Sequence, residues 1–182
     1  LAGGVTSSWS TVYRAAVTDS IISAGNYAGG IGGGYVYTQD CTITGSTITA
    51  GKYAGGVLGC SYSTTINSTG VVDCTIGSSE SLYVGGLLGG CYEGSGIQRY
   101  AVIYNSFSKD TTVMASNGAG GIAGYARGGN YQNIYSNAKV TARENAGGFA
   151  GLVDGYIMNS DANRRIHVDG FYFRGIVKAE LK

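Results

Sequence analysis

The amino-acid sequence predicts an all-β protein, a parallel β-solenoid of about six to seven coils. A six-residue glycine phrase returns at intervals of 23 to 35 residues, and the segments between its copies are rich in Thr, Tyr, Val and Ile. These residue types favour strands. Self-similarity at such a period is typical of repeat architectures, in which each unit buries its apolar side only against its neighbours.

The glycine phrase reads small-Gly-Gly-apolar-x-Gly. Its copies begin at Ala2, Ala28, Ala54, Val84, Ala119 and Ala146, with a decayed seventh copy at Asp169-Gly170-Phe171. Each glycine would cost about 1 kcal/mol in a helix, which disfavours helical repeats of similar period. Stacked strands lie about 4.8 Å apart, and glycine in a strand indicates close backbone approach. We therefore expect the first glycines of the pairs to stack in one column: Gly29, Gly55, Gly85, Gly120 and Gly147.

A second phrase, Asp or Asn beside Ser or Cys, recurs between the glycine phrases. Its copies are Asp19-Ser20, Asp40-Cys41, Asp73-Cys74, Asn105-Ser106, Ser136-Asn137 and Asn159-Ser160. Two anchors per repeat fit a chain that winds once per repeat through two or three short strands. We expect the solenoid to occupy residues 1–165, with residues 166–182 as a C-terminal cap or junction strand.

Composition limits the classes of partner. The net charge is +1 and 13% of the residues are charged, which gives no electrostatic case for nucleic acid or an anionic membrane. A transmembrane helix needs about 20 apolar residues, and no run approaches that length, so no membrane insertion is predicted. No cofactor and no catalytic set are predicted either.

The four cysteines are candidates for disulfides. Cys60 and Cys91 follow successive glycine phrases, and Cys41 and Cys74 hold the same place in successive copies of the second phrase. Equivalent positions about 4.8 Å apart lie within the Cα range of a disulfide. We predict a bridge between Cys60 and Cys91 and, less strongly, between Cys41 and Cys74. The alternative is a ladder of small buried thiols, because Ser fills the same place in other copies.

Asp19, Asp40 and Asp73 are predicted to form a column of carboxylates. Neighbours about 5 Å apart suit a calcium ion, or the paired acids of a retaining glycosidase. The alternative is a solvated edge, which Asn105 and Asn159 would continue.

Tyrosine is abundant, with 15 copies. Tyr27, Tyr53 and Tyr83 precede glycine phrases and are expected to stack. A second set that follows the phrases contains Tyr35, Tyr62, Tyr92 and Tyr125. Aromatic columns of this kind stabilise solenoids, and an exposed column could instead stack on sugar rings or pack against another subunit.

The glycine phrase, together with Ile103-Tyr104-Asn105-Ser106-Phe107 and Ile157-Met158-Asn159-Ser160, resembles the GLUG repeat of bacterial surface proteins. Those repeats look like Gly-Gly-Leu-Val-Gly followed by an Asn-Ser-aromatic phrase, and the resemblance runs from Ala2 to about Ser160. Similar repeats occur in adhesin-like proteins and in a non-catalytic region of immunoglobulin A1 metallopeptidases. The resemblance implies no catalytic residues.

The sequence therefore predicts a non-enzymatic structural or adhesive module, extracellular or on a cell surface, with a host protein or glycan as partner. One alternative is a self-assembling filament subunit, because Leu1 leads directly into a glycine phrase and leaves the first coil open to another copy or to flanking repeats. A polysaccharide-processing β-helix enzyme ranks last.

Overall fold

The computed structural model describes residues 1–61, 63–91, 101–153 and 166–179. Every regular element within them is a β-strand, which confirms the all-β prediction. In these residues there is accordingly no helix with the length and apolarity needed to span a membrane.

The strands follow the chain in successive passes. The first pass contains β1 (Ala2–Gly3), β2 (Ser10–Tyr13), β3 (Ala16–Thr18) and β4 (Ile21–Ala24). The second contains β5 (Tyr27–Gly29), β6 (Gly32–Gly34), β7 (Val36–Gln39), β8 (Thr42–Thr44) and β9 (Thr47–Ala50). The third contains β10 (Tyr53–Gly55), β11 (Leu58–Ser61), β12 (Thr64–Asn67), β13 (Gly70–Val72) and β14 (Thr75–Gly77).

Later passes repeat this order with some strands fused. The next contains β15 (Tyr83–Gly85), β16 (Leu88–Cys91), β17 (Ala101–Lys109) and β18 (Thr112–Ala115). It is followed by β19 (Gly118–Gly120), β20 (Ala123–Ala126), β21 (Gly129–Ser136) and β22 (Lys139–Ala142). The final strands are β23 (Asn145–Gly147), β24 (Ala150–Val153), β25 (Ile166–Phe173) and β26 (Ile176–Ala179).

Equivalent strands of successive passes pair in parallel to form four sheets. Sheet A has the order β1-β5-β10-β15-β19-β23, and sheet B has the order β24-β20-β16-β11-β6. Sheet C joins β2-β7-β12-β17 to β13-β8-β3 and extends through β21 and β25, while sheet D has the order β26-β22-β18-β14-β9-β4. The chain thus runs through sheets A, B, C and D and returns to A, which is consistent with a parallel β-solenoid.

The register of sheet A is set by the glycine phrase. Gly29, Gly55, Gly85, Gly120 and Gly147 lie opposite one another in neighbouring strands. The decayed seventh copy is wrong, because Asp169 pairs with Gln132 and Phe171 pairs with Ile134 in sheet C. Strands β25 and β26 pair with β21 and β22, so residues 166–179 extend the sheets by parallel pairing.

Sheets A and B pack backbone against backbone. A Cβ atom on Gly55 would lie 2.0 Å from the carbonyl oxygen of Leu58 and 2.5 Å from the amide nitrogen of Gly89. Real Cβ atoms do not approach other atoms this closely, so only glycine fits between the two sheets. The close approach expected for the glycine strand therefore lies between sheets A and B.

The main core lies between this glycine layer and sheets C and D. Its largest fully buried side chains include Ile31 and Leu58 from the glycine phrases, Ile43 and Ile103 from sheet C, and Ile48 from sheet D. The second glycine of each pair makes room for sheet C, since a Cβ on Gly30 would lie 2.8 Å from Ile43.

Candidate functional site

Two corners recur along the chain at which an Asp, Asn or other residue lies in the left-handed backbone region, although the pass from β19 to β22 has such a residue only at the first. The first corner follows β2, β7 and β12 and contains Arg14, Asp40, Ser68, Asn105 and Asn133, with φ between 46° and 54°. The second corner precedes sheet D and contains Asp19, Gly45, Asp73 and Asp110, with φ between 47° and 62°. Asp, Asn and Gly tolerate this region better than other residues, which explains why the second phrase recurs.

The predicted carboxylate column is wrong. Asp40 lies at the first corner, whereas Asp19 and Asp73 lie at the second, and Gly45 separates them. Two strand steps correspond to about 10 Å, too far for one cation or a retaining carboxylate pair. Among the described residues no group of three or more His, Cys, Asp or Glu could hold a metal ion.

The residue after each corner forms a hydrogen-bonded ladder. The backbone N–H of Ser20 donates to Ser46 Oγ at 3.1 Å, and the N–H of Ser46 donates to Cys74 Sγ at 3.4 Å. At the first corner, the N–H of Thr69 donates to Ser106 Oγ at 3.1 Å. Each side chain also donates to a carbonyl two residues earlier, as Ser46 does to Thr44 at 3.0 Å. Ser, Thr and Cys therefore satisfy backbone groups that the turn removes from the sheets.

The disulfide predicted between Cys60 and Cys91 is wrong. Cys91 pairs with Ser61, and Cys60 pairs with Gly90. Successive side chains of a strand point to opposite faces, so a shift of one residue separates the two sulfurs. Cys60 packs among tyrosines outside sheet B, and Cys91 lies in the main core. Neither forms a disulfide.

Cys41 and Cys74 do not form the second predicted bridge. Cys41 follows the first corner and Cys74 follows the second, so they belong to different ladders. Both are buried free thiols. The alternative of a thiol ladder is closer to the structure, because Cys74 stands in line with Ser46.

The tyrosines before the glycine phrases stack on the outer side of sheet A. Ring centroids are 5.5 Å apart for Tyr27 and Tyr53, and 5.4 Å apart for Tyr53 and Tyr83. Tyr125 of sheet B continues this stack at 5.3 Å from Tyr83, next to Gly118, and is buried. Tyr125 therefore supports the fold and offers little surface to a partner.

Tyr35 belongs to a different corner, between sheets B and C. Its ring stacks on Trp9 with centroids 4.3 Å apart and an interplanar angle of 19°. Trp9 is 77% exposed. Both residues have positive φ, 54° for Trp9 and 57° for Tyr35. Tyr62 and Tyr92, predicted to continue this set, lie outside the described residues.

A depression of about 300 Å³ opens beside the Trp9–Tyr35 stack. Its lining includes Trp9, Tyr35, Tyr37, Thr11, Ser63 and Thr64, and none of the described residues of this lining carries a charge. A second depression of about 200 Å³ lies farther along the outer face of sheet C, lined by Val102, Tyr104, Asn130 and Gln132. We call the outer side of the first half of sheet C, with these two depressions and the Trp9–Tyr35 stack, the aromatic face.

Hydrogen bonds fix side chains on the aromatic face. Tyr37 Oη donates to Gln39 Oε1 at 3.0 Å, and Gln39 Nε2 donates to Asp40 Oδ2 at 3.2 Å. Desolvation, aided by Tyr104 and Asp40, raises the pKa of Tyr37. Asn130 Oδ1 is buried and has no hydrogen-bond partner within the described part of the chain.

Sequence reasoning missed Trp9. It is the only tryptophan, and it lies 26 residues before Tyr35, which equals the spacing of the first glycine phrases. That coincidence was the available signal. Compared with known proteins, the chain matches no protein-family model, no curated protein and no solved structure.

Proposed function

We propose that this chain is a non-enzymatic structural or adhesive module of an extracellular or cell-surface protein. It would be a solenoid of six to seven coils built on the Gly-Gly-apolar-x-Gly repeat, as its resemblance to GLUG repeats implies. One observation carries the proposal: the candidate carboxylates, the hydroxyls beside them and the thiols of Cys41 and Cys74 are used at the corners to build the turns. What remains for function is the exposed face of stacked strands.

The separation of Asp40 from Asp19 and Asp73 removes the pairs of neighbouring carboxylates that the sequence suggested for a glycosidase. The polysaccharide-processing enzyme therefore stays the weakest candidate.

Adhesion of coated particles tests the adhesive function. Beads carrying the chain are expected to bind epithelial monolayers or immobilised mucin under flow, and beads carrying albumin are the control. Binding no greater than that of albumin beads on both surfaces would refute the adhesive proposal.

A filament subunit remains the second candidate, because apolar side chains are exposed at both ends of the strand stack. Val5 and Ile21 are 48% and 86% exposed in the first pass, and Tyr172 and Ile176 are 60% and 64% exposed at the other end. Strand edges that have no partner among the described residues can add further strands, from another copy or from flanking repeats. Sedimentation velocity at increasing concentration tests this candidate: growing oligomers support it, and a constant monomer refutes it.

A further inference from the structure

We propose that the aromatic face binds a neutral, extended polysaccharide, with Trp9 as the main stacking platform. This inference rests on the adhesive function proposed above and names its ligand class.

The stacked aromatics Trp9 and Tyr35 carry a cost in backbone strain. Their equivalent in the next pass is Ser63, at the same corner. A bulky residue in the left-handed region costs of order 1 kcal/mol, and such strain clusters at functional sites. Trp9 nevertheless holds this backbone while 77% of its surface is exposed, so its ring contributes little burial to the fold. A flat exposed indole suits the apolar face of a sugar ring.

The groups around the Trp9 indole are polar. The larger depression is lined by the hydroxyl-bearing residues Thr11, Ser63 and Tyr37, and no charged residue is among the described residues of its lining. Hydroxyl groups and apolar ring faces match uncharged sugars, whereas a phosphate, a sulfate or a uronic acid would require cations.

The aromatic face is also elongated. The smaller depression at Tyr104, Asn130 and Gln132 lies on the same outer face, and β12 separates β7 from β17. Two strand steps place the depressions about 10 Å apart, which only a ligand of several units spans. Asn130 Oδ1 is buried and has no partner within the described residues, so a ligand hydroxyl would reach this acceptor only after the amide rotates outwards.

The pairing of the strands separates a sugar from a peptide. Strand β12 at the centre of the face pairs on one side with β7 and on the other with β17. Within the described residues the face has one edge strand, β2, whereas its depressions reach across β7, β12, β17 and β21, which are each paired on both sides. An extended peptide binds by adding its backbone to a free sheet edge, so the side chains across these paired strands suit a ligand other than a peptide.

Affinity electrophoresis tests the proposal. The 182-residue chain is run through native gels that contain a mixed-linkage β-glucan, a galactomannan, a xyloglucan, an α-mannan or, as an anionic comparison, polygalacturonate. We expect retardation by at least one neutral polymer and about a fivefold weaker interaction for Trp9→Ala. Trp9→Phe should restore part of the interaction. The matched control is Tyr172→Ala, which removes another exposed aromatic, stacked on Tyr135 at 5.7 Å and outside the aromatic face.

Several results would overturn the assignment: no retardation in any neutral gel, retardation by polygalacturonate alone, or equal losses for Trp9→Ala and Tyr172→Ala. Thermal unfolding of each variant verifies that the fold is intact, and Tyr37→Phe gives a second probe if Trp9→Ala does not fold. Tyr37→Phe is expected to weaken binding about threefold, since it removes one hydroxyl. Unchanged binding of this variant to a polymer that retards the parent chain would count against the site.

The same variants separate this inference from the adhesive proposal. If coated beads adhere and periodate oxidation of the target glycans leaves adhesion unchanged, the adhesive function stands and the polysaccharide site is refuted. If gel retardation depends on Trp9 but beads do not adhere, the polysaccharide site stands and the adhesive function is refuted.

Discussion

Sheets A and B differ from sheets C and D in what fills the space between layers. Between sheets A and B the backbones touch, and a Cβ on Gly85 or Gly120 would lie 2.0 or 1.9 Å from a carbonyl oxygen. Towards sheet C the second glycine of each pair faces a carbonyl oxygen of the next pass and, beyond it, a side chain, which is Ile43, Val71, Ser108 or Ser136 in successive passes. The glycine phrase therefore repeats with little change, while the residues opposite it vary.

This difference indicates which positions of the repeat can vary in sequence. In a layer without side chains, no neighbouring side chain can become smaller to make room for a larger residue, so each added carbon meets backbone. A layer with side chains can compensate for a larger residue in one pass by a smaller one in the next.

Adding one carbon to the glycine layer is expected to have the largest effect. Gly55→Ala should lower the free energy of unfolding by about 3 kcal/mol or more, because its Cβ would meet backbone on two strands. Urea unfolding at constant m-value measures this loss. The control is Gly25→Ala, where no atom lies within 4 Å of the added Cβ, and its stability should change by about 0.5 kcal/mol or less. Equal losses in both variants would contradict the distinction between the layers.

Removing one rung of the corner ladder should have an intermediate effect. Cys74→Ala leaves the N–H of Ser46 without its acceptor, so we expect a loss of about 1–2 kcal/mol in chemical denaturation. Cys74→Ser restores an acceptor and a donor and should lose less than half as much. If serine destabilises as much as alanine, the thiol serves packing, and the ladder contributes nothing there.

Removing one carbon from the side-chain layer should be mild. Ile43→Val is expected to lower the free energy of unfolding by about 1 kcal/mol, because the lost methyl group leaves a small cavity that neighbours partly fill. A loss as large as that of Gly55→Ala would break the comparison, since both substitutions change one carbon.

The smallest effect concerns the thiol chemistry of the core. Burial raises the pKa of Cys91 to about 11, so Cys91 should resist iodoacetamide at pH 8 until the chain unfolds. Because the folded pKa exceeds that of an exposed thiol, the stability contribution is complete below about pH 8.5 and is lost as the pH rises towards 11. Mass spectrometry of alkylated peptides checks the reactivity, and a disulfide between Cys60 and Cys91 would contradict the register.

The all-β class and the stacking of the repeated glycines could be predicted from the sequence, because close packing of strands requires glycine at a regular period. The prediction failed at the second phrase, because Asp40-Cys41 and Asp73-Cys74 look alike but serve two different corners. The rule for both corners is the same left-handed turn, so the local residues cannot distinguish them. Similarly, Cys60 and Cys91 differ by one residue in their offset from the glycine phrase, and in a strand one residue reverses the face.

The candidate site was predicted only in part. Tyr35 was identified as an interaction aromatic, but Trp9 was missed because the first glycine phrase is shortened and its pass has no strand between β1 and β2. The depressions depend on which side chains of three to five strands lie outward together, and this requires the register of sheet C.

The corner ladder has a direction. The backbone N–H of Ser20 donates to Ser46, that of Ser46 donates to Cys74, and that of Thr69 donates to Ser106. Each turn is therefore completed by the turn that follows it in the chain. If the fold grows from the N-terminal side, each added pass supplies the hydrogen-bond acceptor that completes the turn before it. A chain that emerges N-terminus first during synthesis or export would fold in the order in which it appears.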